Sequence, residues 1–253
     1  MKHDTTKPAL LLCALLLSAG SMAADLRVLS AGAAKAAVLP LTEAFARNSG
    51  NNVDIDFATM GLIQDKLKAG EKVDVLILAA EVGEVLAKAG AIVAASVKPL
   101  ARVGVGVAVG ENAKVPDISS VAAFRKTLLD AKSIVMIDPA RGTSGKHLVE
   151  VYQRLGITDA LKPKMQYGSG GYIVEPVGRG AVELGLHQIS EILPVKGVKL
   201  VGPLPEELQK WTLYVGAVTP TTQSAKAAQD LVAYLSGFQS KAIYLSKGFV
   251  LAE

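Results

Sequence analysis

Cysteine is almost missing from this chain of 253 residues: there is one, Cys13, close to the N-terminus. Its position excludes a disulfide framework, a thiol nucleophile and a cysteine metal site from the rest of the chain. Histidine is nearly as scarce, at three residues. Two of them, His147 and His187, lie beyond the N-terminal stretch, too few for a convincing metal site without help from carboxylates. No metal and no other cofactor is expected. A strong charge imbalance is also absent. Lys and Arg number 27 against 23 Asp and Glu, a net charge of +4. That excess is too small and too dispersed for a nucleic-acid surface, although it suits a protein that handles small anions. Past the first residues no apolar run is long enough to cross a bilayer, so membrane insertion is not expected. Repeats, low-complexity tracts and heptads are missing as well.

What is present starts with a leader. Lys2 and Lys7 precede an apolar run over residues 9–17, and small residues over 18–24 end it, the pattern of a secretory signal peptide cut after Ala23 or Ala24. Leu12 is wrong for a lipobox, so Cys13 is read as part of the leader and not as a lipid anchor. The expectation is an exported, free protein of the bacterial periplasm. Losing residues 1–24 removes Lys2, Lys7 and Asp4 and takes the net charge from +4 to +3. The remaining chain, roughly 230 residues, is enough for one large or two small domains.

From residue 26 onward strand and helix patterns alternate, which predicts an α/β fold. Strands are expected near residues 26–30, 53–57 and 74–79, with helices over 36–48, from Leu62 and over 81–88. Residues 102–109 read as one long strand crossing into a second lobe. That lobe holds a helix at 121–130, strands at 133–137, 165–167, 183–188 and 198–201, and a helix containing Tyr172, Glu175 and Arg179. Residues 213–218 read as a second crossing strand, followed by helices over 224–236 and 239–246. The division is residues 25–103 plus 216–253 for lobe 1 and 104–215 for lobe 2, a clamshell of two α/β lobes joined by two crossing strands. Ligands of such sheets bind beyond the carboxyl ends of strands. Three turns fit that address: residues 30–35, 58–61 and 138–147.

The third turn, Asp138-Pro-Ala-Arg-Gly-Thr-Ser-Gly-Lys-His147, is the densest in chemistry. Strand, glycine-rich turn and helix aim free N–H groups at an anion. Thr143 or Ser144 can cap the helix or donate to a ligand, and Arg141 adds a fork that matches a carboxylate. The plainer reading is an ordinary βα turn with a capping hydroxyl. A P-loop is excluded, since it needs glycine at Ala140 and a hydroxyl residue at His147.

Taken in order, Val28-Leu-Ser-Ala-Gly-Ala-Ala-Lys35, Phe57-Ala-Thr-Met-Gly61, Asp74-Val-Leu-Ile77, Asp138-Pro139 with Gly145, and Glu183-Leu-Gly-Leu-His-Gln188 resemble the molybdate-binding periplasmic proteins. The resemblance implies the type II periplasmic-binding-protein fold over the whole chain after the leader. It departs at the ligand. Where molybdate binders place serines and a tyrosine, this chain has Ala33, Thr59-Met60 and Gln188. Lys35, Arg141, Lys146, His147 and His187 instead offer cations near the cleft, which suits a polyanion with several carboxylates. Among relatives of this fold, the secreted aconitate isomerases fit both departures. That likeness implies interconversion of trans- and cis-aconitate by an allylic proton shift. It requires a base with a pKa near neutrality, and cations or N–H groups aimed at the developing charge. His147, His187 and Lys35 are the candidate bases. Their plain readings are a solvated first-turn side chain, a strand residue packed under the cleft and a surface lysine. Ala33, Thr59, Gly61, Arg141, Thr143, Ser144, Gly145 and Gln188 are the candidate substrate contacts. The alternative is a non-enzymatic receptor for molybdate-like oxyanions or polycarboxylates, and only then is an ABC permease a partner.

The leader makes a direct prediction. Protein recovered from the periplasm of an expressing Gram-negative host should begin at Ala24 or Asp25 and carry no lipid; N-terminal sequencing and intact mass read both.

Overall fold

The computed structural model describes residues 23–252. All but the last two residues of the expected leader lie outside that range. Strand β1 (Asp25–Ala31) passes through a short 3₁₀ turn into helix α1 (Lys35–Ser49), followed by β2 (Asn52–Ala58), α2 (Met60–Lys68), β3 (Val75–Ala79) and α3 (Ala80–Lys88). Next come β4 (Lys98–Val103), β5 (Val105–Gly110), α4 (Val121–Asp130), β6 (Ile134–Ile137), α5 (Thr143–Arg154) and α6 (Thr158–Leu161). Then β7 (Met165–Gly168), α7 (Glu175–Gly178), β8 (Leu184–Gln188), α8 (Ile189–Ile192) and β9 (Val198–Pro203) complete a second unit. The chain closes with β10 (Thr212–Val218), α9 (Ala225–Ser236), α10 (Phe238–Ser246) and β11 (Val250–Leu251).

The apolar spacing explains the layers. In α1, Val38, Leu41 and Phe45 recur at three- and four-residue steps and are buried, the stripe a helix presents to a sheet. All five residues of β3 are buried, as a strand covered on both faces requires. Two mixed sheets result. The six-stranded sheet has the order β11-β4-β10-β3-β1-β2, and the five-stranded sheet β7-β6-β8-β5-β9. In each, the βα units are parallel: β1 with β2 and β3, and β6 with β7 and β8. The first sheet builds one core around Leu26, Leu29, Leu76, Phe45 and Tyr244. The second sheet is covered on one side by Phe124, Leu128 and Leu148, and on the other by Val174, Val177 and Ile192.

Three sequence expectations are corrected. The long strand expected over residues 102–109 is two strands. β4 pairs with β10 in the first sheet and β5 with β8 and β9 in the second, so the chain changes sheets at Gly104. A side chain there would be crowded: a Cβ on Gly104 would sit 3.0 Å from the Gln209 amide and 3.1 Å from the Trp211 ring, and both would have to give way. Gln209 clips the outgoing and returning chains together. It accepts from the Val105 N–H at 2.9 Å and donates to the Val105 carbonyl at 2.8 Å. Second, β10 lies wholly in the first sheet: Thr212 pairs with Val103, and Val215 with Leu78. Residues 212–215 therefore pair with lobe 1, although the sequence reading ran lobe 2 through residue 215. Third, the helix expected to hold Tyr172, Glu175 and Arg179 is a single turn, Glu175–Gly178. Positive-φ glycines at 170, 171 and 180 bracket it and stop the helix from extending in either direction.

Helix α5 crosses β6 with almost no clearance. A Cβ on Gly145 would lie 2.4 Å from the Ile137 carbonyl oxygen and 3.0 Å from its Cγ2. Backbone cannot yield as a flexible side chain does, so Gly145→Ala should destabilise by about 1–3 kcal/mol. A urea titration should show a lower midpoint with an unchanged slope.

Candidate functional site

In both sheets the chain order reverses at one strand. β1 is flanked by β2 and β3, and β6 by β7 and β8. The carboxyl ends of these strands are where open α/β sheets hold ligands, and here the two sets face each other across a cavity of about 330 Å³. Lobe 1 contributes Gly32, Ala33 and Lys35 after β1, Phe57 near the end of β2 and Thr59 just after it. Lobe 2 contributes Thr143 and Ser144 at the head of α5, and Ser169, Gly170 and Tyr172 from the turn after β7. His187, Gln188 and Glu191 reach in from β8 and α8, and Tyr214 from β10.

The polar groups divide by side. On one side Lys35 opens α1, with Nζ 5.5 Å from the Phe57 ring centroid and 5.8 Å from that of Tyr172. Each ring face attracts the ammonium, and the rings belong to opposite lobes. On the other side His187 is 3% exposed and Glu191 7% exposed. The His187 Nε2 stands 3.1 Å from Glu191 Oε2 and 3.3 Å from the Gly171 carbonyl. Its Nδ1 lies 3.4 Å from Ser144 Oγ. Since Nε2 faces two acceptors it carries the hydrogen, and Nδ1 in the neutral ring accepts from the serine hydroxyl. Gln188 Nε2 donates to Thr143 Oγ1 at 3.3 Å and to Thr212 Oγ1 at 3.4 Å. Its Oε1 is buried without a hydrogen-bond partner. Burial pushes the Tyr214 phenol well above its ordinary pKa; the nearby Glu191 carboxylate adds to the rise and a bond with Thr143 opposes it. Tyr214 is thus a neutral donor at working pH.

Two further hydrogen bonds cross between the lobes, beside those of Gln188 with Thr212 and Thr143 with Tyr214. Ser190 Oγ donates to the Ala33 carbonyl at 2.7 Å, and the Gly61 N–H donates to the Arg141 carbonyl at 3.1 Å. Among the described residues, no group of three or more His, Cys, Asp or Glu could hold a metal ion, and no helix is long and apolar enough to cross a membrane.

This arrangement has relatives. A family model described as "Bacterial extracellular solute-binding protein" matches residues 26–250. The chain belongs to that family. It is 30% identical over 233 residues to an aconitate isomerase of a Pseudomonas species, covering 90% of this chain and 88% of that one. It is 32% identical over 130 residues to the molybdate-binding protein ModA of Escherichia coli K12, about half of each chain (49%). Among solved structures, the periplasmic molybdate-binding protein of Azotobacter vinelandii superposes with a TM-score of 0.76 at 19% identity, over 90% of this chain and all of that one (100%). The type II periplasmic-binding-protein fold inferred from the sequence motifs is the fold of the molecule.

Of the residues singled out from sequence, Ala33, Lys35, Thr59, Thr143, Ser144, His187 and Gln188 line the cavity of this solute-binding protein. The other four do not. The Arg141 guanidinium is exposed, 3.9 Å from the Asp138 carboxylate, because bonds from Arg141 and Gly142 N–H to the Asp138 carbonyl fold the turn and direct that side chain outward. Gly61 has its N–H taken by the Arg141 carbonyl. Gly145 serves the helix–strand crossing. His147 donates from Nε2 to the Leu208 carbonyl at 2.7 Å. Helix α5 reaches the cleft only with its first residues, and four residues on, the axis has carried the chain about 6 Å away. Lys146 is exposed. Of the expected cluster of cations, the cavity wall therefore keeps the Lys35 ammonium and the His187 imidazole, the latter set against a carboxylate. Thr59 caps α2 by accepting from the Leu62 N–H at 3.3 Å, while its own hydroxyl hydrogen stays available. Glu191, Tyr214, Phe57 and Ser169 were missed. For Glu191 the signal was an acid lodged in the apolar run after β8.

His147 makes a pH prediction. Its pKa is lowered, with burial outweighing the bond to the Leu208 carbonyl. The unfolded chain therefore binds a proton that the folded one resists as pH falls below the ordinary value of 6.5, and stability declines with acidification in that range. His147→Asn should lose this part of the pH dependence, measured by thermal melts between pH 7.5 and 5.

Proposed function

We propose that this protein is an exported, periplasmic aconitate isomerase that interconverts trans- and cis-aconitate by moving a double bond within the cleft of a solute-binding fold. The observation that carries this reading is the His187–Glu191 pair on the cavity wall. A receptor for a dianion gains nothing from a buried carboxylate at its binding site, which repels the ligand. A proton-transfer enzyme needs such a pair, since a titratable couple held out of water supplies a base. The 30% identity to an aconitate isomerase along nine-tenths of the chain supports the same reaction.

The chemistry follows from the substrate. Three carboxylates make further negative charge hard to form, and removing a methylene proton places a carbanion between them. Lys35 offers a charge-assisted contact to one carboxylate. Hydroxyls of Thr59, Thr143 and Ser169 and the neutral phenol of Tyr214 are donors that stabilise charge spreading onto the others. Free rotation in the delocalised anion then changes the geometry before the proton returns.

The second reading is a transport receptor. It is favoured by the hydroxyl groups of the cavity and by the likeness to ModA. Absorbance at a wavelength where the two isomers differ separates them. The isomerase reading expects turnover of trans-aconitate by the purified mature protein without added metal. Absence of turnover together with saturable thermal stabilisation by molybdate would sink it. Lys35→Met should weaken substrate binding about 10- to 100-fold, the loss of one charge-assisted contact, read as a rise in KM.

A further inference from the structure

Glu191 and His187 form one ionisable unit, but their access to the cavity differs. Both ring nitrogens of His187 are engaged, Nδ1 with Ser144 and Nε2 with Gly171 and Glu191. Only one oxygen of Glu191, Oε2, is occupied by His187. The other, Oε1, faces the first turn of lobe 1, where a Cβ on Gly32 would come within 3.3 Å of it. Gly32 lines the cavity and carries no side chain to cover that oxygen. Among the described residues, Glu191 is the sole carboxylate on the cavity wall. Beside the imidazole, the other polar side chains of the wall are hydroxyls, an amide, phenols and the Lys35 ammonium, whose Nζ lies near the Phe57 and Tyr172 rings.

Resting on the isomerase reading, we propose that Glu191 is the single catalytic base of this site and that His187 is a positioning residue that holds and polarises it. In the step so assigned, the carboxylate of Glu191 takes a proton from the methylene carbon of trans-aconitate. The C–H bond breaks and its electron pair enters the allylic system shared with the flanking carboxylates. The backbone of the substrate rotates about a bond that is now partly single. The protonated Glu191 then returns the proton to the former vinyl carbon, the double bond settles on the other side, and Glu191 is a carboxylate again. Atoms, charge and oxidation state balance with no co-reactant. Because one carboxylate acts at both ends and is shielded from solvent, the proton removed is the proton returned in part of the turnovers. The glycine at 32 has a specific reason here: it leaves Oε1 open.

Trans-aconitate deuterated at the methylene carbon tests this on the full mature protein. Early product should carry deuterium at its new methylene position in a measurable fraction of molecules; complete washout to solvent hydrogen overturns the single-base assignment. Glu191→Gln should lose about 10²- to 10⁴-fold in kcat, the range for a positioned base, while trans-aconitate still raises its melting temperature. Glu191→Asp, which keeps the acid and serves if the glutamine variant does not fold, should lose at least tenfold in kcat with KM little changed. His187→Gln should lose less kcat than Glu191→Gln and should move the acidic limb of the kcat–pH profile, which a merely structural role does not do. Glutamine or aspartate variants within threefold of the unaltered enzyme, or a His187→Gln loss larger than that of Glu191→Gln, overturn the assignment and leave the isomerase reading standing. No turnover by the unaltered protein removes both.

Discussion

A carboxylate almost wholly withdrawn from water must be paired, and in this molecule the pairing of Glu191 with His187 is the constraint that the site is arranged around. Removing the partner of a buried carboxylate leaves that group without its hydrogen bond and is destabilising, whereas burying a paired charge adds little net stability. Its presence therefore calls for a reason other than stability. The two residues are four apart across the junction of β8 and α8, so the short helix after the strand brings the acid back beside the ring. Ser144 and Gly171 fill the rest of the imidazole's hydrogen-bonding capacity.

Around that pair the fold works through close approach. Gly32 stands next to the Glu191 carboxylate, Gly61 next to the Arg141 backbone, Gly145 against the Ile137 carbonyl, and Gly170 against Thr59. Each is a place where a side chain would hold elements apart. Three of these contacts, at Gly32, Gly61 and Gly170, join the lobes, as does the Ser190 hydrogen bond to Ala33. The hinge side is equally tight, with Gly104 under Trp211 and the Gln209 amide bonded twice to Val105.

The fold alone does not name the chemistry. Solute-binding proteins and an isomerase share it, and function resides in the side chains grafted onto the strand ends. Two lobes that close on an anion already provide enclosure, N–H groups and hydroxyls. What separates catalysis from capture is the addition of a base that the ligand can touch. In the isomerase reading we propose, the carboxylate takes that place, while Lys35, near rings from both lobes, offers the countercharge.

Alternation of apolar periods sufficed for the α/β architecture, for most element positions, and for the three turns at the strand ends. These are local properties: a helix or strand writes its buried face into neighbouring residues, and a turn needs small residues where the chain reverses. Five of the residues picked from those turns, with His187 and Gln188 from the end of β8, do line the cavity. The rest was decided by the tertiary structure, because it depends on direction and not on neighbourhood. Arg141 and His147 lie in the same turn-and-helix segment as Thr143 and Ser144, yet the folded turn and the rise of α5 send their side chains elsewhere. Glu191 looked like one acid in an apolar run until β8, α8 and the first turn of lobe 1 met around it. The break at Gly104 reads as continuous strand because both halves are equally apolar, and only the pairing of each half with a different sheet divides them. Periodicity records which face of a segment is buried; what it is buried against comes from residues far along the chain.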